Sequence, residues 1–162
     1  MTDAAPTKRE LLPLIEAAAS VADHASLKPW RLIALRGDAR ERLGEAIAKA
    51  DGDSKPSTKP LRSSLLIAVV FSPKSSSKVA PWEQEAVASG VAHALSLVLD
   101  EAGWGVMWRT GHYTRSAPVA RMHELKKGEQ LLGWLYVGGK PAKEKSGRRK
   151  PISAKKFLTT LN

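Results

Sequence analysis

The chain has 162 residues, of which 43% are hydrophobic, and this is enough for one domain with a buried core. The absence of cysteine excludes disulfide frameworks, thiolate metal sites and cysteine nucleophiles. The first residues are polar, and no stretch reaches the roughly 20 apolar residues that a membrane helix needs, so we expect a cytoplasmic protein without membrane contact.

The net charge of +10 is concentrated near the C-terminus. Residues 140–156 hold eight Lys or Arg and one Glu, whereas residues 1–139 carry 18 basic and 15 acidic side chains. We therefore predict a single domain over residues 1–139 and a basic C-terminal arm over residues 140–162. A solvated, solubilising arm is the first interpretation, and anion binding is the alternative. Nucleic-acid binding is not favoured, because Phe157 is the only aromatic side chain in the arm.

A first helix is predicted over residues 9–21, where apolar side chains recur at helical spacing. Thr7 and Glu10 have the spacing of a capping box at its start. Pro13 lies inside the segment, and an interior proline removes a backbone hydrogen bond and collides with the preceding turn. We therefore expect the regular helix to begin only near Leu12.

The next elements are a short strand over residues 31–36 and a helix from Asp38 to about Asp51. Asp38 and Glu41 have the spacing of a second capping box. Residues 52–60 are rich in Pro, Ser and Lys, which is typical of a loop.

The strongest strand is predicted over residues 64–71, where a continuous apolar run suits a central position covered on both faces. Residues 82–102 form the longest helix, and apolar side chains on almost every face indicate burial. Gly103 is predicted to end it as a C′ glycine. The remaining elements are an extended piece over residues 106–109, a helix over 116–125 and a strand over 131–137. This alternation predicts a two-layer or three-layer arrangement around a mostly buried sheet.

Familiar catalytic motifs are missing from the sequence. Gly103 and Gly105 do not begin a dinucleotide-binding motif, because Trp108 stands where the third glycine is needed. The four histidines show no helical pairing, so we predict no metal site. His93 lies within the long apolar helix and is predicted to be a core or interface residue.

Two clusters could nevertheless carry chemistry. The first is the loop over residues 23–30, in which His24 lies among polar groups before a Pro–Trp pair. The alternative for this loop is structural, with Asp23 capping a turn and Trp30 filling the core. The second is Arg109, a lone cation among small and apolar residues, which could grip a phosphate bidentately or pair with a carboxylate.

Four ordered motifs resemble the compact branch of the nitroreductase family of FMN-dependent oxidoreductases. They are the loop ending in Lys-Pro-Trp at residues 28–30, Trp-Glu-Gln-Glu at 82–85, Gly-Trp-Gly-Val-Met-Trp-Arg-Thr-Gly at 103–111 and Leu-Leu-Gly-Trp-Leu-Tyr-Val-Gly at 131–138. The resemblance implies an α+β, three-layer sandwich with a central, mostly antiparallel sheet flanked by helices. It also implies a homodimer with FMN at the interface, NAD(P)H as electron donor, and nitroaromatic or quinone-like acceptors.

The resemblance also implies which residues hold the cofactor. Arg109 and Gly111 would lie by the FMN phosphate or ribityl chain, and Trp108 would wall the pocket. His24, Ser26 and Lys28 would face the cofactor from the first loop. No catalytic side chain is predicted, because the flavin supplies the chemistry.

Two departures from the family pattern predict weakened or lost FMN binding. The Arg-Arg-Ser segment of relatives, whose arginines bind FMN, is absent from these residues, and Lys28 stands where relatives carry Gln. Arg148 or Arg149 of the arm is a candidate replacement cation. The alternative function is therefore a flavin-free protein of the same fold that acts as a binding or sequestering module.

Overall fold

Four α-helices and four β-strands alternate through the part of the chain that the computed structural model describes, which is residues 1–142 and 151–161. Each corresponds to an element predicted from the sequence, with bounds that differ by up to three residues. The elements are α1 (Lys8–Ala18), β1 (Trp30–Leu35), α2 (Asp38–Asp51), β2 (Leu65–Phe71), α3 (Pro81–Glu101), β3 (Trp104–Arg109), α4 (Ala117–Met122) and β4 (Gln130–Gly139).

The strands form one sheet in the order β1-β2-β4-β3, and every neighbouring pair is antiparallel. All seven residues of β2 are buried, which confirms its predicted central position. A register irregularity lies between Val69 and Val70, where β2 faces β4. The predicted α+β fold with a mostly antiparallel sheet is therefore confirmed.

Helices cover both faces of the sheet, so the sandwich has three layers. Alternate residues of β2 point to opposite faces: Leu65 and Ile67 pack with α1 and α3, whereas Leu66 and Ala68 pack with α2 and α4. Each fully buried aliphatic side chain contributes about 1.5–3 kcal/mol to stability. The two faces of the sheet thus carry two separate hydrophobic cores.

Helix α1 begins with the predicted capping box, since the Thr7 hydroxyl accepts from the Glu10 amide and the Glu10 carboxylate accepts from the Thr7 amide at 2.7 Å. The expectation that Pro13 delays the helix is wrong, because the helix runs through it from Lys8. Pro13 and Arg9 are both exposed, so water can satisfy the Arg9 carbonyl that loses its amide partner.

The second predicted capping box is also wrong. Gly37, with φ of 49°, is the N-cap of α2, and no side chain caps this end. Glycine adopts that backbone conformation without the penalty of a Cβ atom. Asp38 and Glu41 lie instead in the first turn, where their negative charges interact favourably with the positive end of the helix dipole.

The C-terminal half follows the predicted order. Gly103 has φ of 86° and comes directly after Ala102, the C-cap of α3, as expected of a C′ glycine. Strand β3 begins two residues earlier than predicted, and α4 is shorter at both ends.

In the described residues, no helix is long and apolar enough to span a membrane. Residues 151–161 of the arm are exposed, and Arg148 and Arg149 lie outside the described residues.

An ion pair fastens β1 to the turn before β4. The Arg31 guanidinium donates through Nε and Nη2 to the two carboxylate oxygens of Glu129, at 2.8 and 2.7 Å. The Glu129 side chain is only 5% exposed, and its carboxylate also accepts from the Lys126 amide at 2.8 Å. These hydrogen bonds lower the pKa of Glu129 to about 2, with the Arg31 contact as the main cause.

Candidate functional site

The loop before β1 has an unusual backbone. His24–Ser26 form a short 3₁₀ turn, and Ala25, Ser26 and Lys28 have φ of 61°, 51° and 48°. Left-handed conformations are uncommon for residues with a Cβ atom and are concentrated at functional sites. We call residues 23–28 the first loop.

The carboxylate of Asp23 closes the first loop. Its two oxygens accept from the backbone amides of Leu27 at 3.2 Å and Lys28 at 2.7 Å. The proposed turn-capping role of Asp23 is therefore confirmed. Trp30 does not fill the core as the same interpretation held, since it is only half-buried at the start of the edge strand β1.

The Trp-Glu-Gln-Glu motif builds the N-terminus of α3 beside the first loop. The Glu83 carboxylate accepts from the Ala80 amide at 2.8 Å, and its other oxygen lies 3.9 Å from the His24 Nδ1 atom. Gln84 is buried and donates to the carbonyls of Lys74 and Val79 at 3.0 and 3.1 Å. Both side chains thus organise the chain around the helix start.

Trp82 of the same motif is 73% exposed, although it is large and apolar. It borders a cavity of about 320 Å³ that also receives His24 from the first loop. The other lining residues are Val21, Ala22, Glu83, Ala86, Val87 and Gly90. We call this the loop cavity.

A second cavity, also of about 320 Å³, lies at the end of β3. Its lining combines three cations with aromatic and hydroxyl side chains, and none of the described residues that line it is acidic. These residues are Lys59, Arg62, Trp108, Arg109, Thr110, Tyr113 and Tyr136. We call it the cationic cavity, and its charge favours an anionic ligand group.

Aromatic rings hold two of these cations. The Arg109 guanidinium lies 5.5 Å from the ring centroid of Tyr136, and the Lys59 ammonium lies 5.4 Å from that of Tyr113. Within the described residues, Arg109 makes no ion pair, so the carboxylate alternative finds no support. Tyr136 is 5% exposed, and burial raises its pKa to about 12, so its phenol stays protonated as a potential donor.

Trp108 points to the other face of the sheet from Arg109, because side chains alternate along β3. Its indole N–H is buried and has no hydrogen-bond partner among the described residues. The ring packs edge-on against His93 of α3, with centroids 4.8 Å apart. His93 itself is exposed and does not lie in the core.

Two glycines make room around this strand end. A Cβ atom on Gly111 would lie 2.6 Å from the Tyr113 ring. At Gly133 of β4, which has φ of 144°, a Cβ atom would lie 2.5 Å from the Arg109 carbonyl oxygen and 2.6 Å from the Trp108 Nε1 atom. Gly133 therefore requires glycine both for space, because the clash is with backbone, and for its backbone conformation, whereas a side chain at Gly111 would displace the Tyr113 ring.

The predicted site residues fall into two groups in one chain. Trp108 and Arg109 line the cationic cavity, with Gly111 beside it against Tyr113, while His24 borders the loop cavity within the first loop. The two cavities share no lining residue.

Sequence reasoning missed Lys59, Arg62, Tyr113 and Tyr136, although two cations flanking a proline just before the strongest strand are a usable signal. No group of three or more potential metal ligands occurs in the described part of the chain.

The model of the nitroreductase family matches residues 1–139. The chain belongs to the nitroreductase family. It is 31% identical over 146 residues to YdjA of Escherichia coli (strain K12), whose name places it among NAD(P)H nitroreductases, with 85% of this chain and 80% of the relative covered. Family membership supports an oxidoreductase function.

Solved structures share the fold. A nitroreductase-like family protein from Bacillus cereus superposes with a TM-score of 0.82 at 20% identity, covering 99% of this chain and 88% of that one. A mutant form of NfnB, an FMN and NADPH-dependent nitroreductase from sphigopyxis sp. strain HMH, gives 0.77 at 15% identity, covering 99% and 92%. The nitroreductase-like fold is therefore shown by structure as well as by sequence.

Proposed function

We propose that this protein is an FMN-dependent oxidoreductase that takes electrons from NAD(P)H and passes them to nitroaromatic or quinone-like acceptors. The observation that carries the proposal is the cationic cavity, which gathers three cations beside a buried phenol in a chain of the nitroreductase family. The cavity fits a phosphate-bearing ligand, because guanidinium and ammonium groups are the usual partners of phosphate oxygens.

FMN, when bound, supplies the hydride-accepting and electron-transferring chemistry. Arg109, Arg62 and Lys59 would bind its phosphate. Lys28 would present a donor where relatives carry an amide. These groups compensate in part for the cations that the family pattern places upstream.

We further propose that the protein is a homodimer formed through the outer face of α3. Trp82, Ala86, Gly90, His93 and Leu97 follow one another at helical spacing along this face. Trp82 and Leu97 are 73% and 72% exposed, and four of the five residues in this stripe are exposed to solvent. A second copy of the chain would cover a largely apolar stripe that the described residues leave exposed.

A contact between two copies through this face of α3 would also bring the two groups of predicted site residues close together. Trp82 marks the loop cavity and His93 packs on Trp108 near the cationic cavity, and eleven residues of helix separate them by about 16 Å. In an antiparallel two-fold contact centred near Val87, Trp82 of one copy lies beside His93 of the other. The His24 loop of one protomer then approaches the Arg109 cavity of its partner, which gives two shared sites.

The first experiment is a visible absorption spectrum of the protein after FMN is added and the excess removed, with the Kd measured by flavin fluorescence. Loss of one charge-assisted contact in Arg109→Ala is expected to raise the Kd about 10- to 100-fold. Arg121→Ala, an exposed arginine of α4, is the matched control. An unchanged Kd in Arg109→Ala refutes the site, and a colourless parent protein favours the flavin-free alternative.

The dimer has its own test in light scattering of Leu97→Asp, with Leu12→Asp on α1 as the control at another exposed leucine. We expect Leu97→Asp to be monomeric and to lose most of its FMN affinity, because each site would need two protomers. A Leu97→Asp protein with the mass of the parent would contradict the proposed interface.

A further inference from the structure

The first loop holds a conformation that its residue types disfavour. Three of its non-glycine residues, Ala25, Ser26 and Lys28, lie in the left-handed region, where the Cβ atom crowds the backbone. The three side chains are exposed, so core packing does not impose this shape. Some other interaction must therefore hold the loop.

The groups that restrain the loop come mainly from one residue. Asp23 accepts the amides of Leu27 and Lys28 through its carboxylate, and its backbone carbonyl accepts the Ser26 amide at 2.9 Å. Among the described residues, the only other polar contact that this loop makes is the 3.9 Å approach of His24 to Glu83, which is too long for a hydrogen bond. The carboxylate presents two acceptor oxygens, one for each amide, whereas the side-chain amide of asparagine presents only one.

We propose that Asp23 is a positioning residue that holds the first loop in its flavin-binding shape before the cofactor arrives. This role rests on the proposed function, because it assumes that His24, Ser26 and Lys28 face FMN. A preformed loop spares FMN the cost of ordering residues 23–28 during binding. Removal of the carboxylate therefore lowers FMN affinity more than it lowers stability.

The test compares Asp23→Ala, Asp23→Asn and the double variant Asp23→Ala/Ala25→Gly with the parent. Asp23→Ala is expected to raise the Kd for FMN about 10- to 100-fold, and Asp23→Asn less, since its amide oxygen still accepts one backbone N–H. Ala25→Gly is expected to restore part of the affinity, because glycine enters the left-handed region freely.

Ser76→Ala is the matched control. The Ser76 hydroxyl likewise accepts two backbone amides, those of Lys78 at 3.2 Å and Val79 at 3.1 Å, in a loop outside the first loop. Its removal is expected to leave the Kd for FMN within twofold of the parent. A second readout, hydrogen exchange of the Leu27 and Lys28 amides, is made on the flavin-free protein and does not depend on FMN.

Fast exchange of these two amides in Asp23→Ala, together with a raised Kd and partial rescue by Ala25→Gly, supports the role. The role is overturned if Asp23→Ala binds FMN within twofold of the parent, or if Ser76→Ala weakens binding equally. A parent protein that binds no FMN refutes the proposed function itself, and amide exchange then reports separately whether Asp23 holds the loop.

Discussion

Because of the ion pair between Arg31 and Glu129, the free energy of unfolding depends on pH in the acidic range. Glu129 has a pKa of about 2 in the folded protein instead of the ordinary 4.5, because the Arg31 guanidinium donates to both of its oxygens. A shift of this size corresponds to about 3 kcal/mol of folding free energy. Because the folded-state pKa is lowered, this stabilisation is complete above about pH 4.5 and is lost as the pH falls towards 2.

Glu129→Gln removes this titration while keeping the shape of the side chain. We expect the difference in unfolding free energy between the parent and Glu129→Gln to shrink by about 3 kcal/mol from about pH 6 to pH 2. Urea unfolding at several pH values and one fixed protein concentration measures the difference. Glu16→Gln, an exposed glutamate of α1, controls for the change in net charge.

A second titration falls in a neighbouring window. Burial lowers the pKa of His123, so its neutral form is favoured in the folded protein and its contribution declines as the pH falls below about 6.5. This titration occurs in both proteins and cancels in the comparison. Parallel stability curves for the parent and Glu129→Gln between pH 4.5 and 2 would show that the carboxylate of Glu129 does not gain its stability from Arg31.

Three further substitutions test the packing. Arg31→Met leaves the buried Glu129 carboxylate without its partner and is expected to destabilise by about 3–5 kcal/mol, most of which the additional change Glu129→Gln should recover in urea unfolding. Gly133→Ala places a Cβ atom 2.5 Å from a backbone oxygen at φ of 144°, so a loss of about 2–3 kcal/mol and a lower Tm are expected. His123→Ala removes the acceptor of the Trp134 indole N–H at 2.9 Å and should cost about 1–3 kcal/mol by denaturant unfolding; an unchanged midpoint would contradict the buried hydrogen bond.

Local sequence signals predicted the elements and their layering well. The apolar run of β2, the glycine after α3 and the Thr7–Glu10 capping box each depend on a few neighbouring residues, and the structure confirms all three. The same local rules failed at Pro13 and at Asp38. At Pro13 solvent access relieves the lost hydrogen bond, and at Asp38 the preceding Gly37 takes the cap position.

The candidate site was predictable only in part, because its members come from distant segments. Arg109 stood out in the sequence, yet Lys59 and Tyr136 reach it only through the pairing of β3 with β4 and the turn that precedes β2. Periodicity does not report such contacts. The left-handed residues of the first loop were equally hidden, since Ala25 and Ser26 are ordinary residues whose backbone depends on the Asp23 carboxylate.

The register of strand β3 makes the geometry of the site depend on the length of the turn that precedes this strand. Trp108 and Arg109 are neighbours in sequence but face opposite sides of the sheet, one towards α3 and the other over Tyr136. A slip of one residue against β4 would exchange them, burying a guanidinium in the apolar core and placing an indole among the cations. Insertions or deletions between α3 and β3 would therefore impair both folding and the site, and we expect selection to remove them. The turn at Gly103 should keep a constant length among relatives.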